Sequence, residues 1–397
     1  MKLIPGGLLA AVSSLLLGID PVAAADYSAS AKVLYQFSMS DAKGFNPLGA
    51  PFRATDGAFY GTTAHGGTHG HGTLYKIHAD GSGVVVLHHF RDSRNPSSSL
   101  VEGKDGLLYG TSEGGGSRLV GTVFKINKDG QNFTQLYQFT GSGADGKRPQ
   151  AGVTLDSEGT CYGTTSEGGR YLGGTVFRVD TNGGRYRVLY GFIGKQRMDG
   201  SAPRSALLLA SDGSLYGTTS SGGRNDFGTI FAIERNGGRY RLLHAFGNQP
   251  TDGATPYARL IEGSDGKLYG STIAGGYYSH GTVCSIGKDG KGYRVLRSFG
   301  GLKDDGRNIY SPLVEGPDAL LYSTAANGGD DFSGLIFRIA KDGRDYTPLF
   351  VFSAKGLEGR WPYGGIALAG DGTIFGTTTA GAEGGQGAIF KLGKASP

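Results

Sequence analysis

Three histidines near the start of the chain have a spacing that could bind a metal. They are His65, His69 and His71, in a glycine-rich segment. Imidazole is a ligand for zinc, copper and nickel, and His69 and His71 would lie on one side of an extended segment. The segment has no adjacent cysteine or carboxylate and no apparent fourth ligand. We therefore predict no cofactor and histidines that contact solvent or substrate, with a divalent metal as the alternative.

A second group of residues combines side chains suited to proton transfer and to anion binding. Tyr278 and His280 share one segment, and Arg360 follows in another. β-Elimination next to a uronate needs a cation for the carboxylate, a base and an acid, and Arg, His and Tyr can fill these roles when their pKa values are tuned. In this hypothesis the protein is a polysaccharide lyase, in which Arg360 neutralises charge while His280 or Tyr278 exchanges protons.

Aromatic rings next to arginine are typical of saccharide binding. The ring packs against C–H groups, and Arg or His meets a carboxylate or sulfate. The only tryptophan, Trp361, stands near Arg360 and Tyr363. Packing between repeats is the competing interpretation for Trp361 and Tyr363. The residues that we expect to bind ligand are Tyr277, Arg307, Tyr310, Asp330, Asp331, Trp361, Tyr363, His65, His69, Arg170, Tyr171 and Arg224.

A pair of carboxylates offers a lesser enzymatic alternative, glycoside hydrolysis. Asp330 or Asp331 could pair with Glu383. Glycosidase chemistry requires two carboxyl groups about 5–9.5 Å apart, and the sequence of a loop does not establish that distance.

The segments that carry these candidates interrupt a repeat. An aromatic anchor recurs at intervals of 49, 53, 54, 53, 53 and 53 residues. A period in this range indicates a propeller or a solenoid. The anchors are Tyr60, Tyr109, Tyr162, Tyr216, Tyr269, Tyr322 and Phe375.

Each repeat is predicted to be a meander of four antiparallel strands. Asp-Gly or Asn-Gly pairs separate the β-rich segments, and both residues of such a pair accept the positive φ of a tight hairpin. In the second repeat the predicted strands are Ser99–Glu102, Leu107–Ser112, Gly121–Asn127 and Thr134–Phe139.

The ends of the chain indicate how the repeats are arranged. A lone four-stranded sheet cannot bury both faces, and a closed ring of seven sheets protects most edges. The orphan strand Lys32–Phe37 can complete the sheet that Gly387–Leu392 leaves short. We therefore predict an all-β, seven-bladed β-propeller with 3+1 closure of blade 7, forming one domain over residues 26–397.

The long connections between strands are the expected functional face, because function gathers on loops held by a rigid scaffold. On that face blades 5, 6, 7 and 1 form one sector rich in Tyr, His and Arg. Residues that repeat in every blade are given structural roles. Acidic side chains before the blade prolines are expected to bind their own turns; these are Asp92, Asp145, Asp199, Asp252 and Glu358. The hydroxyl groups of Thr111, Thr164 and Thr218 are expected to be satisfied between blades.

The repeat also resembles a known family. The pattern Leu-Tyr-Gly-Thr-Thr, Gly-Gly, Gly-Thr-Val-Phe and Asp-Gly-x-x-Pro is similar to the bacterial GloVer-type tandem repeat, over essentially the whole mature chain. The resemblance implies an exported repeat protein and does not imply a particular activity.

The N-terminus and the composition limit location and partners. Residues 1–25 combine Lys2, an apolar run and an Ala-Ala-Ala end, which is typical of a secretory signal peptide. A secreted or periplasmic monomer follows. The net charge of +5 is mild and the sequence has no basic run, so we expect no nucleic acid as a partner. We also expect no transmembrane segment in the mature chain. Cys161 and Cys284 fall in blades too far apart for a disulfide and are expected to be buried thiols.

These observations favour a binding protein over an enzyme. We predict a secreted module that binds an extracellular polymer, with an acidic polysaccharide as the leading ligand. The polysaccharide lyase is the alternative, and a structural matrix protein is a lesser one.

Overall fold

In the computed structural model, the described residues are Tyr27, 31–39, 42–78, Asp80 and 82–394. The signal peptide expected at residues 1–25 lies outside them. Seven four-stranded antiparallel sheets form a ring, so the prediction of an all-β, seven-bladed propeller is confirmed. The only helical element in the described part of the chain is the 3-10 turn Lys195–Arg197.

Each sheet follows the predicted meander from the innermost strand to the outermost one. The first strands are Phe52–Arg53, Val101–Glu102, Thr154–Leu155, Leu208–Leu209, Ile261–Glu262, Val314–Glu315 and Ile366–Leu368. The second strands are Phe59–Thr63, Leu108–Ser112, Thr160–Thr165, Ser214–Thr219, Leu268–Thr272, Leu321–Ala325 and Ile374–Thr378. The third strands are Thr73–Ile77, Thr122–Ile126, Thr175–Asp180, Thr229–Glu234, Thr282–Ile286, Leu335–Ile339 and Gly385–Leu392. The fourth strands are Val84–His89, Thr134–Gln138, Arg187–Gly191, Arg241–Ala245, Arg294–Ser298, Thr347–Val351 and, from the other end of the chain, Lys32–Ser38.

Five short two-residue ladders join the long connections on one face of the ring. The pairs are Ser93–Arg94 with Gly114–Gly115, Gly146–Lys147 with Glu167–Gly168, Gly200–Ser201 with Ser221–Gly222, Gly253–Ala254 with Ala274–Gly275, and Gly306–Arg307 with Asn327–Gly328.

The repeated residues of the second strand have identifiable structural roles. Tyr109 donates its hydroxyl hydrogen to Asp105 in the preceding hairpin, at 2.6 Å. Gly110 lies beneath the ring of Phe124, so that a Cβ at this position would approach the ring within 2.7 Å. The Thr111 hydroxyl donates to the carbonyl of Ala151 in the next blade, at 2.8 Å. The tyrosine therefore stabilises the hairpin, and the glycine leaves room for the Phe124 ring. The threonine hydroxyl bonds to the next blade, as expected for Thr111.

The closure predicted from the two ends of the chain is confirmed. Lys32–Ser38 pairs antiparallel with Gly385–Leu392, and Gln36 lies opposite Ala388. Upstream, Tyr27 forms a bridge with Lys394, and its hydroxyl donates to the carbonyl of Gly372 at 3.1 Å. The N-terminal strand thus completes blade 7 and closes the ring.

The repeated acidic residues stabilise the connections between blades. Asp199 accepts hydrogen bonds from the backbone of Ile193 at 2.9 Å and of Gly200 at 2.7 Å, as expected. It also accepts from Tyr190 and Tyr240, whose rings stack across the seam at 3.9 Å. Asp145 and Asp252 bind their turns in the same way. The expectation is wrong for Asp92 and Glu358, whose carboxylates make no such bond with the described residues, and Asp305 has this role in blade 6.

The described residues also settle two smaller expectations. Cys161 and Cys284 are free and buried, as predicted. Within this part of the chain no helix has the length and apolar character needed to cross a bilayer.

Candidate functional site

The seven innermost strands surround a central cavity of about 840 Å³. Ligand pockets in proteins are typically clefts of roughly 300–1,000 Å³, so this volume suits a small molecule or one end of a polymer. The residues that lead into the first strands enter the cavity from the face of the long connections. That face is the one on which the sequence predicts function.

One residue from each blade stands at the mouth of this cavity. In six blades it follows the blade proline directly, and in blade 6 it follows Ile309. All seven side chains are partly buried and line the cavity. We call them the mouth residues; they are Leu48, Ser97, Gln150, Arg204, Tyr257, Tyr310 and Tyr363.

Three consecutive mouth residues form an aromatic arc. The rings of Tyr257 and Tyr310 meet edge to face, with centroids 5.5 Å apart, and those of Tyr310 and Tyr363 do the same at 4.7 Å. Burial and the neighbouring phenols raise the pKa of Tyr310, and burial raises the pKa of Tyr363. Both therefore stay neutral at physiological pH and present a hydroxyl group together with an apolar ring edge.

A polar chain continues the arc on the side of blades 3 and 4. The Arg204 guanidinium stacks over Tyr257, 5.6 Å from its centroid, and donates to the side-chain oxygen of Gln150 at 2.6 Å. Gln150 in turn donates to Glu113 at 2.9 Å, and Glu113 also accepts from Arg148. Since Arg148 compensates the charge of Glu113, Arg204 adds positive charge to the mouth.

The backbone before each mouth residue explains why the chain turns into the cavity. Trp361 has a φ of 60°, and the equivalent residue of every other blade also has a positive φ. The amide of Trp361 donates to Ser333 of blade 6, while its carbonyl accepts from Thr379 of blade 7. These bonds fix the turn that delivers Tyr363 to the mouth. The Trp361 backbone thus belongs to the seam between blades 6 and 7, and the Arg360 guanidinium lies over the indole at 4.5 Å.

The residues assigned to proton transfer lie in blade 5, away from the mouth. His280 and Tyr278 pack over Gly300 and Gly301, where any Cβ would collide with their rings. Burial and the nearby Arg307 lower the pKa of His280. Among the described residues, no hydrogen bond, ion pair or ring contact joins Arg360 to either side chain. Their catalytic assignment stays a prediction.

Several other predicted ligand contacts stand at the tips of the long connections. Tyr277 is 71% exposed and touches Tyr278 edge to face. Arg170 lies over the ring of the half-exposed Tyr171. Arg224 is exposed and has no partner among the described residues, and Arg307 lies over the ring of Phe332 at 5.1 Å. These side chains are accessible but are spread over blades 3 to 6.

The acidic residues of blade 6 are arranged for structure. Asp331 accepts hydrogen bonds from the backbone of Ala354 and of Ser333, which lower its pKa. Asp330 is exposed and pairs with Lys303 at 3.5 Å. Glu383 is exposed in blade 7. The Asp331 carboxylate is thus occupied by backbone amides. The hydrolase alternative stays a prediction.

The three histidines of blade 1 have separate surroundings. His65 packs against the ring of Phe45, and the Nδ1 atom of His71 lies 2.7 Å from the carbonyl oxygen of Arg91. His69 instead lies near His88 and His89. In the part of the chain that is described, no three His, Cys, Asp or Glu side chains converge as metal ligands would.

Sequence reasoning placed Tyr310 and Tyr363 among the ligand contacts, and the structure brings them together. It missed Tyr257, Arg204 and Gln150. One feature of the sequence could have indicated them. The residue after the blade proline differs from blade to blade, while the sequence on either side of it repeats.

Solved structures with a similar fold come from several functional classes. The extracellular domain of a putative one-component system from B. thetaiotaomicron has a TM-score of 0.59 at 14% identity, covering 92% of this chain and 42% of that one. An oligogalacturonate lyase in complex with manganese has a TM-score of 0.56 at 12% identity, covering 93% and 96%. A xyloglucanase from Xanthomonas campestris has a TM-score of 0.59 at 14% identity, covering 88% and 52%. At these identities the likeness concerns the fold alone.

A sequence match is more specific. The Gloeobacter/Verrucomicrobia repeat matches residues 25–211 and again residues 203–396. No curated protein matches the chain.

Proposed function

Because the chain belongs to the Gloeobacter/Verrucomicrobia repeat family, whose repeats here build a propeller with a lined central cavity, we propose that it binds an extracellular acidic polysaccharide at the mouth of that cavity. The observation that carries this proposal is the arc of Tyr257, Tyr310 and Tyr363 with Arg204 at its end. An export leader, expected at residues 1–25, supports a location where such polymers occur.

The chemistry of the arc suits a sugar with a carboxylate. Tyrosine rings offer apolar surface for the C–H groups of a pyranose and hydroxyl groups for its oxygens. Arg204 supplies a positive charge for a uronate, since hydrogen bonds between guanidinium and carboxylate are the stronger, charge-assisted kind. The positive net charge of the chain would also favour the approach of a polyanion.

The residues at the mouth of the cavity suit ligand binding better than β-elimination. A tyrosine acts as a base only when ionised, and the pKa values of Tyr310 and Tyr363 are raised. His280 is neutral at physiological pH because its pKa is lowered. Among the described residues, however, no hydrogen bond or ring contact joins it to Arg360 or to the arc. The lyase therefore remains the alternative that the experiment must separate from binding.

The test is calorimetric titration of the protein with short oligogalacturonates and with neutral oligosaccharides of the same length. We expect the acidic ligands to bind. Tyr310→Ala and Tyr363→Ala should each lose about 1–2 kcal/mol of binding free energy, the value of a lost aromatic contact. Phe227→Ala, which removes an exposed aromatic side chain from a long connection on the same face, is the matched control and should bind normally.

The same mixtures distinguish an enzyme from a binding module. A lyase would release an unsaturated uronate, seen by its ultraviolet absorbance. Product that disappears in Tyr278→Phe, His280→Ala or Arg360→Ala would support the lyase. Equal affinity in Tyr310→Ala, Tyr363→Ala and the control Phe227→Ala would contradict the proposed mouth site.

A further inference from the structure

One arginine in the wall of the cavity has no counterpart in the other blades. Arg259 stands ten residues before its anchor tyrosine. The corresponding residues are small or proline in every other blade, so a large charged side chain enters the cavity from one direction only. They are Ala50, Ser99, Gly152, Ala206, Pro312 and Gly365.

The burial pattern places Arg259 inside the cavity, beyond the mouth. Ala258 and Leu260 are buried in the blade, whereas Tyr257 and Arg259 line the cavity. The chain bends at Ala258, and Arg259 lies two residues beyond Tyr257, toward the innermost strand Ile261–Glu262.

Arg259 is the one cavity-lining charge without a partner among the described residues. Glu113 pairs with Arg148, and Arg204 donates to Gln150. The Arg259 side chain is exposed to the cavity, and no hydrogen bond, ion pair or ring contact joins its guanidinium to the described residues. Its donors are therefore free to meet an anionic ligand, for which a guanidinium offers strong, charge-assisted hydrogen bonds.

We propose that Arg259 binds a carboxylate inside the cavity, so that the site recognises the terminal uronate of an acidic chain entering end-on. This inference rests on the proposed function, and it adds which part of the polymer is recognised. We expect a saccharide confined to the mouth to contact the arc alone, because Arg259 follows the mouth residue toward the innermost strand. A chain end that enters the cavity would contact the arc and Arg259 together.

The direct test compares Arg259→Ala, which restores the small residue of the other blades, with Arg118→Ala, which removes an exposed arginine from a long connection of blade 2. Calorimetry with short oligogalacturonates should show a loss of about tenfold to a hundredfold in affinity for Arg259→Ala, the value of a charge-assisted hydrogen-bonded pair. Arg118→Ala should bind like the unmodified protein. Unchanged affinity in Arg259→Ala would overturn the inference.

Chain length provides a second readout. If the end is recognised, oligogalacturonates and polygalacturonate should bind alike at equal concentrations of chain ends. Affinity that instead rises with the number of residues per chain would show recognition of the interior, and would overturn end-on binding while leaving the proposed function intact.

A thermal-shift experiment separates the two proposals further. Galacturonate should raise the melting temperature of the protein, galactose should not, and the effect should vanish in Arg259→Ala. This outcome supports the anion site even if no polymer binds, whereas no shift with galacturonate would overturn it. Without ligand, Arg259→Ala should melt at about the same temperature, since the exposed side chain makes no contact with the described residues; a lower temperature would indicate a structural role instead.

Discussion

The Nε2 atom of His244 lies 3.0 Å from the Oδ2 atom of Asp252 in the seam between blades 4 and 5. The imidazole stacks on Tyr293 at 3.6 Å, and the Tyr293 hydroxyl donates to the other oxygen of the same carboxylate. Burial alone would raise the pKa of Asp252, but the hydrogen bonds from His244 and Tyr293 outweigh it and lower the pKa below its usual value. Asp252 thus joins two blades through one buried charge.

We predict that Asp252→Asn lowers the free energy of unfolding at neutral pH by about 2–3 kcal/mol, because the charge is lost and one of the two acceptor oxygens is replaced by an NH2 donor. A group with a lowered pKa in the folded state stabilises the fold above its unfolded pKa, about 3.9 for Asp. That contribution is lost as the pH falls through the folded pKa. Urea unfolding of both proteins from pH 7 downward should therefore show the difference shrinking below about pH 4.

A control for this prediction is Asp289→Asn, since Asp289 is an exposed hairpin residue whose carboxylate accepts one backbone hydrogen bond. It should change stability by no more than about 0.5 kcal/mol. A difference for Asp252→Asn that stays constant down to strongly acidic pH would show that the carboxylate charge has no part in the seam.

Closure of the ring should depend on a single buried ring in the N-terminal strand. Phe37 is fully buried and packs near Tyr75 in a cluster shared by blades 7 and 1. Phe37→Ala should cost about 3–5 kcal/mol, the range for removing a core phenylalanine. Denaturant unfolding measures this, with the exposed Met39→Ala as control. A loss below about 1 kcal/mol would mean that the closing strand is not part of the cooperative core.

The two cysteines should be inert in the native protein. Burial raises the pKa of both thiols, Cys161 and Cys284, to about 12. The thiolate is the reactive form, so a disulfide reagent at mildly alkaline pH should label neither residue until denaturant is added, and then both. Stoichiometric labelling of the native protein would contradict the burial of these side chains.

Arg204 should contribute to binding more than to folding. Arg204→Met removes the hydrogen bond to Gln150 and the cation–π contact with Tyr257, and we expect it to weaken binding of oligogalacturonates by about 1–2 kcal/mol. Binding of neutral ligands should change less. Arg239→Met, on the opposite hairpin face, should leave titrations unchanged. An equal loss for neutral and acidic ligands would show that Arg204 only supports Tyr257.

The sequence was sufficient for the architecture because the blade is repeated. The Asp-Gly turns, the anchor tyrosines and the unpaired end strands predicted the meander and the closure between Lys32–Phe37 and Gly387–Leu392. Both closing strands are slightly longer than predicted, as Lys32–Ser38 and Gly385–Leu392, whereas the second strand of blade 2 is one residue shorter, as Leu108–Ser112. The stack of Tyr190 on Tyr240 was missed because its partners lie in different repeats and only contact in three dimensions.

The candidate site was less accessible to sequence reasoning. The sequence favours the longest and most polar loops as ligand sites, whereas in the structure Tyr278 and His280 pack onto glycines of their own blade. Tyr257 and Arg259 directly precede a strand and look like part of it. Their exposure to the cavity depends on which strand of each blade is innermost and on which side chains face the central axis. Neither property can be predicted until the closed ring of blades is known.

The bridge between Tyr27 and Lys394, with Tyr27 bonded to Gly372, has a consequence for attachment. Gly372 belongs to the hairpin side of blade 7, so both ends of the described chain leave from the underside of the disc at one point. Any anchor or fusion partner joined there would hold the propeller at one position on its hairpin face. The mouth of the cavity would then lie on the opposite face and point away from the attachment.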